Sequence, residues 1–238
     1  MRIQPATVGR GRDAGDGGRR HRISQFSFDS RATVPDTTIE ASWEESIQEQ
    51  GRTSQAGVVG GLLEEYGRAD GVRKVEDFRA LGPAPWSSVA EHNTLLHQVR
   101  DAFTLGAYYP ALVGAGALSE RLLNQLVLTL RGDYDTHPRT SRRIRNRNTF
   151  NDWSHVIDVL HAWTVIDDAT REHLVDLKEI RHASVHYTSA FAAGARDVAL
   201  GAIGHVQAVV TSVFGTFHRP GVTTDGTPGT VVIRRDPS

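Results

Sequence analysis

The chain is predicted to be all-α: an up-and-down helical bundle with a flexible N-terminal tail and a short irregular C-terminal tail. Three observations predict it. Apolar residues recur at helical spacing from Ile39 to Phe217 without a strand-rich segment, Gly82, Pro83 and Pro85 break the chain between two of those runs, and both chain ends lack any sustained apolar period. A composition of 39% hydrophobic and 23% charged residues in 238 is that of a globular protein.

Residues 1–36, with Gly9, Gly11, Gly15, Gly17, Gly18 and the basic knot Arg19, Arg20, His21, Arg22, read as a disordered tail. Residues 37–86 hold short N-terminal helices over Ser42–Gln50, Val58–Tyr66 and Val72–Leu81, and Gly82, Pro83 and Pro85 stop the last of them. The bundle itself spans 87–218. Ser87 or Ser88 caps a helix carrying Leu95, Leu96, Val99 and Phe103, which ends at Gly106. The next helix begins near Pro110 and runs through Leu112, Leu118, Leu122, Leu123, Leu126 and Leu130, with Gly114 and Gly116 admitting a close neighbour. A polar connection from Arg131 to Asn148 precedes a helix capped by Asn151 or Asp152 and carrying Trp153, Val156, Ile157, Leu160 and Trp163. After a turn at Ile166–Asp168 comes a helix from Thr170 to His186, and a last one from Arg196 to Phe217. The tail 219–238 carries one short strand signal, Thr230–Ile233.

With 27 Lys+Arg against 28 Asp+Glu, the net charge of −1 excludes a globally basic nucleic-acid sleeve, so phosphate contact must come from local patches. The absence of Cys removes disulfides, thiolate metal sites and thiol nucleophiles, and fits a reducing cytoplasm. No secretory signal is expected. The uncharged run Val198–His218 carries His205, Gln207, Thr211, Ser212 and Thr216 and is poor in Leu, so it reads as a buried helix rather than a membrane span. No Gly-x-Ser-x-Gly elbow and no phosphate-binding Gly-rich loop occur.

The most informative helix is 171–187. On a helical wheel Leu174, Leu177 and Val185 form an apolar arc, and Arg181 falls inside it, within about 20° of Leu174. A guanidinium aimed at a core must be paired or reach an opening. Two readings follow: Arg181 snorkels or pairs with a carboxylate such as Glu120, on the flank of the apolar arc of the Leu112–Leu130 helix, or it serves an anion site at the helix seam. His182 and His186 share a face with Glu179, a spacing that could hold a metal, although carboxylate-bridged bundle sites carry two such elements and only one is present. The remaining histidines, His92, His97, His155, His161 and His173, show no consistent ligand spacing and read as surface or cap residues.

The string Val165-Ile166-Asp167-Asp168, followed by a helix ending Leu177-Lys178-Glu179-Ile180-Arg181-His182-Ala183-Ser184-Val185-His186, resembles the HEPN superfamily, whose signature is Arg, a polar residue, a short spacer and His late in a bundle. The Glu-bearing helix around Ala111–Leu123 is similar to those proteins as well. The resemblance covers Ser87 to Phe217. It implies an endoribonuclease acting without metal or other cofactor at a site composed from two protomers of a homodimer. His186 would transfer the proton at the ribose 2′-hydroxyl or the leaving 5′-oxygen, Arg181 would stabilise the phosphate charge, and His182 would orient its neighbours. Glu120, Glu179 and Tyr187 would support the site. In this family such chains cleave RNA in defence or toxin–antitoxin settings, with an antitoxin or defence protein as partner, and others are non-catalytic modules that bind nucleotide, RNA or protein. Tyr187 follows His186 directly, whereas members paired with nucleotidyltransferase antitoxins carry a Tyr two residues after the His; here that place is Thr188. Outside the motif, Arg139, Arg142, Arg143, Arg145 and Arg147 place five Arg in nine residues, the best candidate for RNA contact.

Overall fold

The computed structural model describes residues 18–22, 31–85, 90–146, 148, 152–185, 189–214, 222–223 and 230–234. Its helices are α1 (Glu45–Tyr66), α2 (Gly71–Ala80), α3 (Ala90–Thr104), α4 (Tyr108–Leu130), the short α5 (Arg142–Asn146), α6 (Trp153–Ala162), α7 (Asp168–Val185) and α8 (Ser189–Val209). The body is all-α, as its helical periodicity predicts. Among the described residues no helix is long and apolar enough to cross a membrane.

At the centre is α4, an apolar helix packed against α3, α6, α7 and α8. Leu112, Leu118, Leu122, Leu123, Leu126 and Val127 are buried along it, each large side chain contributing about 1.5–3 kcal/mol on leaving water. Its glycines are points of contact. A Cβ on Gly114 would lie 2.8 Å from Val99 Cγ2 of α3, and one on Gly116 would lie 3.3 Å from Arg181 Cγ of α7. The corner before α4 is made by Gly106, whose φ of 84° closes the end of α3 while its N–H donates to Phe103 O at 2.8 Å. Asp152 caps α6 by accepting from the His155 N–H at 3.2 Å, and the Asp167 carboxylate accepts from Thr170 N–H at 2.8 Å at the start of α7. The alternative caps Ser87, Ser88 and Asn151 lie outside the described residues.

The N-terminal helices dock through buried charge. Leu62 and Phe78 form a small core with Ala32, but the stronger tie is Asp77, which is 0% exposed. Its carboxylate accepts from Arg73 Nη1 (2.7 Å), Tyr108 OH (2.8 Å) and Arg196 Nε (2.7 Å), drawing together α2, α4 and α8. Burial, and then the Asp77 hydrogen bond, push the Tyr108 phenol above its ordinary range, which keeps it a donor. Beside this clamp, buried Arg100 of α3 donates to Leu81 O at 3.2 Å, Gly82 O at 2.7 Å and the Gln207 side chain of α8, so the carbonyls that close α2 are capped by a cation.

Several boundaries differ from the sequence reading. Ser42–Gln50 and Val58–Tyr66 are one continuous 22-residue helix from Glu45, because the polar stretch between them sits on the solvent side and Gln55 reaches across to Thr37 O at 2.7 Å. The last helix begins at Ser189 rather than Arg196 and is kinked at Gly194 (φ −120°, ψ 16°), then finishes in a π turn, Val210–Phe214. Through Val213 the uncharged run buries one apolar face, Ala199, Ala202, Ile203, Val206, Val209, Val210 and Val213, while Gly201, Gly204 and Thr211 are exposed; Gln207 Nε2 donates to Leu81 O at 3.0 Å, and Ser212 shares a 2.7 Å bond with Thr170. The connection 131–148 contains α5. Finally, the basic knot assigned to a disordered tail is a strand, β1 (Gly18–Arg22), which pairs antiparallel with β3 (Thr230–Arg234); β2 (Val222–Thr223) lies on the other edge of β3. The β-branched run Thr230–Ile233 supplies the central strand; nothing in the Gly- and Arg-rich partner announces an edge strand.

Replacing Asp77 by Ala leaves two guanidinium groups and a half-buried phenol without their shared acceptor. The expected loss is about 3–5 kcal/mol in urea unfolding, whereas Arg52→Ala, which removes an exposed pair with Glu49 on α1, should cost under about 1 kcal/mol.

Candidate functional site

The site grows from the α7 arc. Leu174 and Leu177 are buried, and one further turn of the helix would bury Arg181 as well. Gly116 gives the arginine stem another course. With no side chain there, the Arg181 stem lies across the α4 backbone and its guanidinium emerges at the surface, 44% exposed. Arg181 Nη2 donates to Glu120 Oε2 at 2.8 Å, and its Cζ stands 5.4 Å from the centroid of the Trp153 ring. The arrangement is therefore a cation between a carboxylate of α4 and an indole face of α6. The pairing with Glu120 is one that the helical wheel offers. Trp153 is legible in the sequence only as an apolar residue of α6; its role as the platform under Arg181 requires the packing of α6 on α7. Among the described residues its buried Nε1 has no hydrogen-bond partner, a state that costs about 1–3 kcal/mol.

Toward the C-terminal end of α7, His182 is exposed. Glu179, also exposed, pairs with Lys178 at 2.9 Å, and the Lys178 hydrogen bond and charge, with a further contribution from His182, hold its carboxyl below the usual range. Glu179 and His182 join no three-ligand group among the described residues. His186 and Tyr187 lie outside the described residues, in the link between α7 and α8.

The arginine-rich connection is a pinned segment. Ile144 is buried, Arg131 donates to Ile144 O at 3.3 Å, and Tyr134 stacks on Trp163 with centroids 4.8 Å apart and planes 5° from parallel. Trp163 Nε1 in turn donates to Thr140 at 3.1 Å. Arg139 and Arg142 are exposed, and Arg145 is exposed while paired with Asp135 at 2.7 Å. Arg143 lies in α5, though its side chain, like all of Arg147, is outside the described residues. The connection runs directly into α6, so the Arg145 backbone can lie at most about 28 Å from Trp153, eight residues on.

Among the other histidines His97 is exposed as a surface residue would be, and His92 departs from the surface reading. His92 is buried and shares a 3.2 Å hydrogen bond with Gln125, while His161 pairs with Asp168 at 2.9 Å. His173 of α7 and His205 of α8 meet Nδ1 to Nδ1 at 2.9 Å. Both are half-buried, and no motif links them, because the contact depends on the register of two helices. Comparison of the chain with family models, with curated proteins and with solved structures finds no match.

Burial, opposed by Asp176 and reinforced by His173, holds the His205 imidazole below its ordinary value of 6.5. The unfolded chain then binds more protons than the native one as the pH falls. This contribution to stability is fully present above about pH 6.5 and is lost on acidification. Urea midpoints measured across this range should fall less steeply for His205→Gln than for the wild type.

Proposed function

We propose that the chain is a HEPN-like, metal-independent endoribonuclease working as a homodimer, with RNA as substrate and a defence-system or antitoxin protein as partner. The observation that carries this reading is the solvent-reachable Arg181 guanidinium, five residues before His186 at the end of a bundle helix and set against Glu120 and Trp153. In the proposed reaction His186 takes the proton from a ribose 2′-hydroxyl or gives one to the departing 5′-oxygen. The 2′-oxygen forms a bond to phosphorus, the bond from phosphorus to the 5′-oxygen breaks, and the products are a 2′,3′-cyclic phosphate and a 5′-hydroxyl. Arg181 neutralises the growing charge on the phosphoryl oxygens, and His182 orients the groups around it. Arg139, Arg142, Arg143, Arg145 and Arg147 hold the flanking phosphates.

A second reading rests on the same pair. Glu120 already satisfies part of the Arg181 guanidinium, which is what a structural clamp in a non-catalytic nucleotide-binding, RNA-binding or assembly module would do. The two readings separate cleanly by variant. Cleavage of RNA in the presence of chelator should fall by about 10²–10⁴-fold for His186→Ala and by about 10²–10³-fold for Arg181→Ala, with melting temperatures near that of the wild type. Equal rates for wild type and His186→Ala, or a collapse of melting temperature or dimer size in Arg181→Ala without a change in rate, would establish the clamp instead.

Glu120 also competes with any incoming phosphate. Glu120→Gln is expected to tighten RNA binding by up to about fivefold, the scale of an exposed ion pair. Binding isotherms at fixed salt would check this, and weaker binding by the variant would mean that Glu120 positions Arg181 rather than occupying it.

A further inference from the structure

Away from the Arg181 seam, the end of α1 meets the middle of α3. Glu65 of α1 and His97 and Asp101 of α3 each offer one ligand atom there, and these atoms lie within 4.8 Å of one another. His97 and Asp101 are one helical turn apart, so they share a face, with Nε2 3.8 Å from Asp101 Oδ2. Glu65 completes a three-point set from a second helix.

Each carboxylate is oriented by a donor on one oxygen. Arg31 holds Glu65 Oε2 at 2.5 Å, and Tyr66 OH donates to Asp101 Oδ1 at 2.7 Å. Outer donors of this kind fix the ligating carboxylates of metal sites. Beside the triad lies a small cleft lined by Tyr66, Phe78, Asn93, Arg100 and, from the triad itself, His97.

We propose that Glu65, His97 and Asp101 form a binding site for a divalent first-row transition cation of the Zn²⁺ class. One imidazole nitrogen with two carboxylate oxygens suits such an ion, whereas Mg²⁺ and Ca²⁺ prefer sites built of oxygen alone. Bonds of about 2.0–2.2 Å draw the three ligand atoms closer than they stand here. Glu65 and His97 are exposed, so rotamer changes can supply the contraction. Because its ligands come from α1 and α3, the ion would fasten the N-terminal helices to the bundle. The site shares no residue with the proposed ribonuclease centre, nor with Glu179, His182 and His186.

The full chain, stripped with chelator, is titrated calorimetrically with ZnCl₂ and with MgCl₂, and its melting temperature is followed in parallel. One equivalent of Zn²⁺ should bind and raise the melting temperature, while Mg²⁺ does neither. His97→Ala removes a half-exposed side chain and should melt like the wild type without metal, yet lose both Zn²⁺ uptake and the thermal shift; Glu65→Gln, on the other helix, should lose them too. Tyr66→Phe should weaken uptake by about 10–100-fold. The proposal is overturned by a wild type that takes up no Zn²⁺, by His97→Ala binding as the wild type does, or by uptake that disappears in His182→Ala instead.

Discussion

The buried Asp77 carboxylate governs how much of this chain behaves as one body. A lone anion in an apolar interior would be untenable, and three donors from three directions make it tolerable: Arg73 from its own helix, Tyr108 from α4 and Arg196 from α8. The same requirement fixes register. Asp77 cannot be satisfied unless α2 sits where α4 begins and where α8 passes, so the clamp specifies a position that the small Leu62 and Phe78 core could not specify by area alone. Arg100 is the matching cation nearby, capping the end of α2 and bonding Gln207 of α8. Charge placed inside the fold thus ties elements that are far apart in sequence.

Hydrophobic burial then takes over along α4. That helix packs along α3, α6, α7 and α8, and what distinguishes its two inner glycines is what each admits: at Gly114 an aliphatic side chain of α3, at Gly116 the stem of an arginine. The Gly116 contact turns a packing feature into a chemical one. A methyl group there would press on Arg181 Cγ, whereas its absence lets an apolar stem stay in the seam while the charged head reaches water. The candidate site is therefore a consequence of close helix packing, with Glu120 one turn further along α4 to receive the guanidinium.

The residues on long periodic helices were legible. The α4 arc and the stop at Gly106 follow from spacing on a helix, while Asp152 as a cap and Glu120 as the partner of Arg181 are each one of the alternatives that spacing and the cost of an unpaired charge leave open. What spacing could not reveal depends on partners remote in sequence. Asp77 stands among Arg73, Lys74, Glu76 and Arg79, and reads as part of a solvated face until α4 and α8 close over it. His173 and His205, like Trp153 beneath Arg181, acquire their roles from helix register. The strand β1 was hidden for a similar reason: its pairing is supplied by β3 at the other end of the chain, while its own sequence is rich in Gly and Arg. Continuity of α1 across its polar middle was equally hidden, because helices facing solvent need no apolar repeat there.

Arg181 pairs with Glu120, and under the proposed function it would also meet a phosphodiester; the difference between the two anions bears on how such a site would work. A carboxylate on a neighbouring helix is always at hand, so Glu120 holds the guanidinium in place and prevents it from folding back toward the α4 backbone. A phosphodiester is multidentate and can engage several N–H groups of the planar fork at once. The Glu120 pair is partly exposed and therefore weak, on the order of 1 kcal/mol or less, which is small enough for a phosphate anchored elsewhere to displace it. The basic connection that runs into α6 has the charge to provide that anchorage, since each phosphate neutralised along it adds favourable counterion release. If the proposed function holds, a guanidinium resting on a weak carboxylate beside an indole face would be oriented for a phosphate without being committed to the anion it holds.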